Sequence, residues 1–364
     1  MTLSSILGPI RSTKTRDPNS QPVTNSYASL MKAVTSAGLM ERSRTFYMWL
    51  AAGLALAMAG LITGFVLIGQ SWFQLLIAAG LGILLTQIAF ITHEASHRQV
   101  FKSGKANDWT GRILASGVVG ISYAWWMNKH TKHHINPNTV GKDPDIEWDT
   151  ISFQETDAVK QKGLLKWITQ RQGYLFFPLL TLEGINLHVR SIGTLFSKGR
   201  LEGRAVELSL IALRLTAYVA VVFWFLPLGM AFAFLGVQLA VFGVYMGASF
   251  APNHKGMPQI PKENKVDFMT KQVMTSRNIK GFGATAFMGG LNYQIEHHLF
   301  PSMARPHLKK ARMIVREHCA REGVPYAETT LMRSYAIVVA YLNKVGLAAR
   351  DPFDCPEASR FRRR

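Results

Sequence analysis

The sequence lacks charge where a soluble protein would need it. No Asp, Glu, Lys or Arg occurs from Thr45 to Thr92, and none from Leu215 to Asn253. Only 17% of the 364 residues are charged while 48% are hydrophobic, against about a quarter charged in ordinary soluble domains. A helix in water must show one polar face, so runs of this length argue against a pair of soluble domains. Each run is about twice the roughly 20 residues that one spanning helix needs, and each is expected to cross a bilayer twice as a hairpin. Turn signals fall near Gly69-Gln70-Ser71 and Pro227-Leu228-Gly229. Cysteine is scarce too. Cys319 and Cys355 alone cannot build a four-thiolate iron–sulfur cluster, and both are expected as free thiols. There is no internal repeat and no low-complexity tract. The polar N-terminus, with its first long apolar run near Phe46, gives no expectation of a cleavable signal peptide.

Acid is scarcer than base: 22 Asp and Glu against 41 Lys and Arg, a formal net charge of +19. That excess alone would suit nucleic acid, but its placement points to a membrane and no nucleic-acid partner is expected. The basic residues lie in the first 44 positions, between His93 and Arg214, and after Asn253, while the two turns between spans carry none. This asymmetry places both termini and the middle segment on the cytoplasmic side of a multi-pass cell-membrane protein, where the surplus charge also favours anionic lipid headgroups. The terminal Arg360-Phe361-Arg362-Arg363-Arg364 reads as a solvated tail. The expected organisation is a polar arm over 1–45, a membrane domain over 46–320 with spans near 46–69, 72–92, 208–227 and 230–252, and a basic tail over 321–364. Apolar patches near Ile113–Met127 and Tyr174–Leu187 are too short or interrupted to span and are expected at the interface. Pro306–Cys319 reads as a basic helix, and little reads as strand. The fold class is all-α integral membrane, four transmembrane helices in two hairpins with a helical cytoplasmic cap.

Seven of the eleven histidines fall in three tight groups: His93 and His97 in HEASH, His130, His133 and His134 in HTKHH, and His297 and His298 in QIEHH. Positions i, i+3 and i+4 share one helix face with Cβ atoms about 5–6 Å apart, so each group aims its ring nitrogens at one point. A lone histidine is ordinarily a packed or surface residue; three groups at this spacing are a ligand set. Imidazole suits iron, zinc or copper, whereas calcium and magnesium prefer oxygen. The first group follows the second span directly and His254 follows the fourth, so all could converge just below the bilayer. Seven or eight imidazoles exceed the needs of one ion, which argues for two. The first group also satisfies H-E-x-x-H, the zinc peptidase pattern in which the glutamate is general base. That reading would leave His130, His133, His134, His297 and His298 without a role. A histidine-rich metal transporter would need polar groups inside the spans, and the histidines lie outside them.

At these residues the chain resembles the membrane fatty acid desaturase superfamily, over roughly residues 45–320. The run Asn292-Tyr293-Gln294-Ile295-Glu296-His297-His298-Leu299-Phe300-Pro301, with His134-Ile135-Asn136-Pro137-Asn138 and Asp143-Pro144-Asp145, is similar to the subgroup of front-end and actinobacterial acyl desaturases. The resemblance implies two non-haem irons, held in the cap by His93, His97, His130, His133, His134, His297 and His298, with His254 as the ligand after the last span. Asn253 would contribute through a water, and Gln294 would bind loosely or steady a neighbour. Asp143, Asp145 and Glu94 are expected to hold ligands or shape loops, since a carboxylate that accepts an imidazole N–H fixes its tautomer. His188 is open between a metal contact and a packed residue, and His307 and His318 are expected at the surface. The implied reaction uses O2 to place a cis double bond in a long-chain acyl substrate, carried on coenzyme A or a lipid. A related alkyl or lipid hydroxylase would use the same irons. The sequence has no His-Pro-Gly-Gly of a fused haem domain, so electrons are expected from a separate ferredoxin-type donor or reductase.

Overall fold

A computed structural model describes residues 23–350 except residue 148. The first 22 positions, Cys355 and the terminal arginine run lie outside the described residues. The elements run α1 (Val23–Ser36), α2 (Arg44–Ile68), α3 (Gln74–Ser96), α4 (Gly104–Arg112), a π-helical segment (Ile113–Val119), α5 (Tyr123–Ile135), α6 (Glu155–Ala158), α7 (Gly163–Thr169) and α8 (Gln172–Leu195). Then follow α9 (Arg204–Phe225), α10 (Leu228–His254), α11 (Phe268–Met274), β1 (Asn278–Lys280), α12 (Ala284–Phe287), α13 (Gln294–Leu299), α14 (Arg305–Glu322), β2 (Glu328–Thr330) and α15 (Leu331–Leu347). The only ladder among the described residues is a parallel pair of three residues, Asn278 opposite Glu328 through Lys280 opposite Thr330.

Helices α2, α3, α9 and α10 are the four long and apolar enough to cross a membrane, with mean hydropathy of 1.9 to 2.2. Their burial separates them into two kinds. α2 and α9 are exposed almost all round, Trp49 and Leu56 on α2 each at 75%, and an apolar helix bare on every side needs an apolar solvent. α3 and α10 are about half buried, and they form the centre against which α2, α8 and α9 lie. Trp72 and Trp224 stand exposed beside the two connections between spans, as amphipathic rings do at a membrane surface.

The central helices cross closely because they carry glycine at the crossings. A Cβ on Gly82 of α3 would sit 2.8 Å from the Gln238 carbonyl of α10, and one on Gly184 of α8 or Gly243 of α10 would run into the other helix's backbone. α10 also holds Pro252, which has no N–H to give to the carbonyl one turn back. The Tyr335 hydroxyl of α15 donates to that Ala248 carbonyl at 2.8 Å instead, so the helix continues to His254.

The structure adds to or corrects the expectations for the remaining segments in five places. The segment expected as a polar arm contains α1, whose Leu30 and Val34 are fully buried with Val315 and Cys319 of α14. Within the expected basic tail, α15 packs Val338 and Leu342 against Phe176, Leu180 and Ala251 of α8 and α10. The Tyr174–Leu187 patch lies inside α8, one continuous helix of 24 residues. The Ile113–Met127 patch divides between the π-helical segment and α5. His318 is buried rather than superficial, with Nε2 2.8 Å from the Ser26 hydroxyl.

Gly184→Leu tests the close crossing of α8 and α10. Overpacking of this kind costs about 1–3 kcal/mol, so the melting temperature in detergent should fall. Gly53→Leu, at a position with nothing nearby, should leave it unchanged. Equal melting of the two variants would show that the glycine contact is dispensable.

Candidate metal centre

Each histidine is placed by a local device. α3 runs past the charge-free stretch to Ser96, so His93 and His97 stand one turn apart on one face. α5 starts on Ser122, whose side chain accepts the Trp125 N–H. Its N-terminus is fixed from below by Glu207 of α9, which is fully buried. That carboxylate pairs with Arg112 at 2.5 Å, and it accepts the Ser122 hydroxyl at 2.6 Å and the Ala124 N–H at 3.2 Å. A carboxylate at a helix N-terminus is favoured by the exposed N–H groups there. α13 follows Gly289 and Gly290, both at positive φ, and a Cβ on Gly289 would collide with the Phe90 ring of α3. The third histidine group is thereby brought against the first.

The result is two adjoining groups. His93, His97, His130, His134 and His297 each offer a ring nitrogen, all within 4.8 Å of one another, and the same holds for His133, His254 and His298. In the first group Nε2 of His130 lies 3.0 Å from that of His93 and 2.7 Å from that of His97, while His134 and His297 approach to 3.1 Å. The groups touch where the His134 and His298 rings stack at 4.3 Å. Trp126 stacks on His130 at 4.7 Å, and Phe250 lies 6.3 Å from His93.

The second group shows its donor directions. His133 Nδ1 lies 3.0 Å from both oxygens of the buried Asp143, His254 Nδ1 lies 3.0 Å from the Thr275 carbonyl, and His298 Nδ1 lies 2.9 Å from Gln272 Oε1. These partners only accept, so each Nδ1 carries the proton and each Nε2 presents a lone pair inward. Gln272 is oriented by its own amide, which donates to the His134 carbonyl at 3.0 Å. Asp143 is held by the N–H groups of Asn138 and Asp145.

The electrostatics suit a cation. Burial holds the His97 imidazole down at about 3. Burial, reinforced by neighbouring imidazoles, depresses His130, His134, His297 and His298 well below the ordinary range. Neutral rings keep the lone pairs a metal requires. His133 is the exception: burial pushes it down, but Asp145 and Asp143 outweigh burial and raise it. The field that favours a proton there favours a metal ion equally. Asp145 itself is kept ionised, with Lys129 foremost among its partners against the opposing effect of burial, and Lys129 Nζ is 2.8 Å away. Buried His134 Nδ1, His298 Nε2 and Asn253 Oδ1 have no hydrogen-bond partner among the described residues. Clustered imidazole nitrogens, with orphaned polar atoms beside them, fit metal ions. The site is able to hold metal.

Gln294 and Asn253 fall within this arrangement, whereas His188 and Glu94 do not. Gln294 places its amide nitrogen 2.9 Å from His254 Nε2 and accepts from Asn253 at 3.1 Å. His188 is elsewhere: Nδ1 donates to the Gly184 carbonyl one turn back, and the ring packs near Phe242. Glu94 does not touch the histidine nitrogens. Arg305 grips both its oxygens at 2.7 Å, and the Tyr47 hydroxyl donates to it at 3.4 Å. The glutamate that would be general base in H-E-x-x-H is thus committed to an arginine.

The sequence matches the fatty acid desaturase family over residues 70–330. The chain belongs to the fatty acid desaturase family. It is 25% identical over 359 residues to the Delta(8)-fatty-acid desaturase of Helianthus annuus, spanning 92% of this chain and 76% of that protein. It is 26% identical to the fatty acid desaturase 2-like protein FADS2B of Mus musculus, over 93% and 70% of the two chains. It is 27% identical to the Delta(6)-fatty-acid desaturase fat-3 of Caenorhabditis elegans, over 88% and 74%. Membership makes the chain an oxidoreductase of lipid metabolism, and with four helices suited to spanning a membrane protein.

Sequence reasoning about this desaturase missed Glu207, Gln272 and Arg305. Glu207 carried a signal, an acid in the first turn of an apolar helix, where ionisable groups are expensive and usually have a task. Nothing in the sequence marks Gln272 or pairs Arg305 with Glu94, because the partners are distant in the chain.

Removal of Arg305 would leave Glu94 buried without its partner. Loss of one member of such a pair costs about 3–5 kcal/mol, so Arg305→Ala should melt far below the parent. Combining Arg305→Met with Glu94→Leu should recover much of the loss. A melting temperature for Arg305→Ala equal to that of the parent would show the pair to be idle.

Proposed function

We propose that this desaturase introduces a cis double bond into a long-chain acyl substrate, using O2, two irons held by the histidine groups and electrons from a separate ferredoxin-type donor or reductase. The observation that carries the reading is the pairing of a five-histidine group with a three-histidine group in a chain of this family. His93, His97, His130, His134 and His297 would hold one iron. His133, His254 and His298 would hold the other, with Gln294 and Asn253 beside it. Iron bound there supplies the one-electron chemistry with O2 that unactivated C–H bonds require. Overall, two vicinal hydrogens leave the acyl chain, and with two electrons and two protons they reduce O2 to two waters.

The chain's own residues bind, orient and exclude water. Asp143, the Thr275 carbonyl and Gln272 keep protons on the outward nitrogens of His133, His254 and His298, so that the inward ones stay available. Trp126, Phe250 and Phe90 form an apolar wall beside His93, suited to acyl methylenes. At about 0.8 kcal/mol per buried CH2, a chain of about 16 methylenes gains on the order of 10 kcal/mol from burial. In this reading α2 with α3, and α9 with α10, are hairpins, and the histidines and both termini face the cytoplasm.

Expression in a host lacking unsaturated fatty acids, with a compatible electron donor, tests the reaction. A new double bond, seen as loss of two hydrogens, is expected, and His133→Ala should abolish it. Gain of one oxygen would indicate a hydroxylase, and an unchanged profile from iron-loaded, reduced enzyme would sink the reading. Asp143→Asn should lower iron affinity roughly 10–100-fold, read by competition with a chelator. Unaltered iron retention would mean that Asp143 does not orient a ligand.

A further inference from the structure

A cavity of about 770 Å³ lies along α2, with no histidine among its lining residues. Its length is lined by apolar side chains, among them Ala55, Met58, Ile91 and Leu114, while Arg44 and Lys102 also line it. Arg44 is the first residue of α2 and Met58 follows 14 positions later, a run of about 21 Å along the helix axis. A second cavity of about 290 Å³ shares Met58 and Val118 and continues to Phe65 and Val222. The two make one apolar crevice down the outer side of the bundle.

The crevice belongs to a different face of α3 from the reaction centre. At about 100° per residue, Ile88 and Ile91 point roughly 120–180° away from His93 and His97. None of the eight site histidines lines either cavity. An acyl chain lying there would have the body of α3 between itself and the histidine nitrogens.

Two observations say what fills it. One wall is α2, which is bare to the bilayer, so an occupant enters sideways from the lipid. Arg44 and Lys102 have no acidic partner among the described residues, and one or both would meet a headgroup at the membrane edge. We propose that this crevice is a lipid site separate from the reaction centre, taking an anionic glycerophospholipid of the surrounding leaflet with one acyl chain along α2 and its phosphate at Arg44 and Lys102. Tyr47 joins the site to the metal centre. It lines the cavity, and its hydroxyl, which donates to Gln99 at 3.1 Å, also lies 3.4 Å from Glu94.

The test uses the full chain, iron-loaded, in nanodiscs containing phosphatidylglycerol with a photoactivatable acyl chain. Crosslinks should map to residues 51–58 and 114–118, and phosphatidylcholine should compete poorly. Arg44→Glu with Lys102→Glu should cut labelling roughly tenfold, given the strength of attraction between basic residues and anionic lipid. Ala55→Trp should abolish labelling by filling the crevice, yet leave acyl turnover within about twofold, as peripheral substitutions usually do. Loss of turnover in Ala55→Trp with normal iron content and melting would make the crevice the substrate's path and overturn the proposal. Labels spread evenly over the outer faces of α2 and α9, with phosphatidylcholine competing equally, would reduce it to ordinary solvation by lipid and overturn it as well.

Discussion

Eight imidazoles crowded at the end of an apolar bundle set a constraint that the surrounding structure answers. Their nitrogens approach to 2.7–3.1 Å, where any two lone pairs without a proton or cation between them repel. Burial removes the water that would otherwise serve, and it disfavours protonation of the rings as well. The cluster therefore asks for metal cations, and it asks that each ring be held against its neighbours until one is bound. Asp143, the Thr275 carbonyl and Gln272 do part of that holding.

A chain with so little acid uses it selectively. Asp143 fixes His133, Glu207 fixes the start of the helix that carries the second histidine group, and Glu94 ties the first group to the start of α14 through Arg305. Glu296, between Gln294 and His297, accepts from Asn278 at 2.7 Å and from Tyr326 at 2.6 Å. Burial raises its carboxyl to about 7 against those hydrogen bonds. None of the four is free to act as a general base, although the H-E-x-x-H pattern alone would assign that role to Glu94. The pattern specifies spacing; the arginine decides what the glutamate can do.

The four helices long and apolar enough to span were legible because their signal is local and one-dimensional: two charge-free runs, each interrupted near a Gly or Pro. The expected spans fall within four residues of the helices at every end. The histidine spacing was legible for the same reason, and His254 could be placed from its position after the last run. α1 and α15 were not, because each is stable only through a partner distant in sequence, α14 for one and α8 with α10 for the other. His318 was misplaced on the surface for that reason: the residues that bury it come with α1. Tyr335 replacing the donor that Pro252 lacks is equally invisible, since a proline inside an apolar run predicts a break.

α3 shows how these levels meet in one element. Its middle is glycine-bearing and sits against α10; its end turns two histidines inward; its opposite side lines the crevice with Ile88 and Ile91. An α-helix within hydrocarbon satisfies its backbone hydrogen bonds within itself, so the two faces of α3 keep a fixed relation to one another. Tyr47 and Arg305 grip α3 at Glu94, one residue from His93. The spacing of the first histidine group comes from α3's own sequence, while Tyr47 of α2 and Arg305 of α14 hold that end of the helix in place through Glu94.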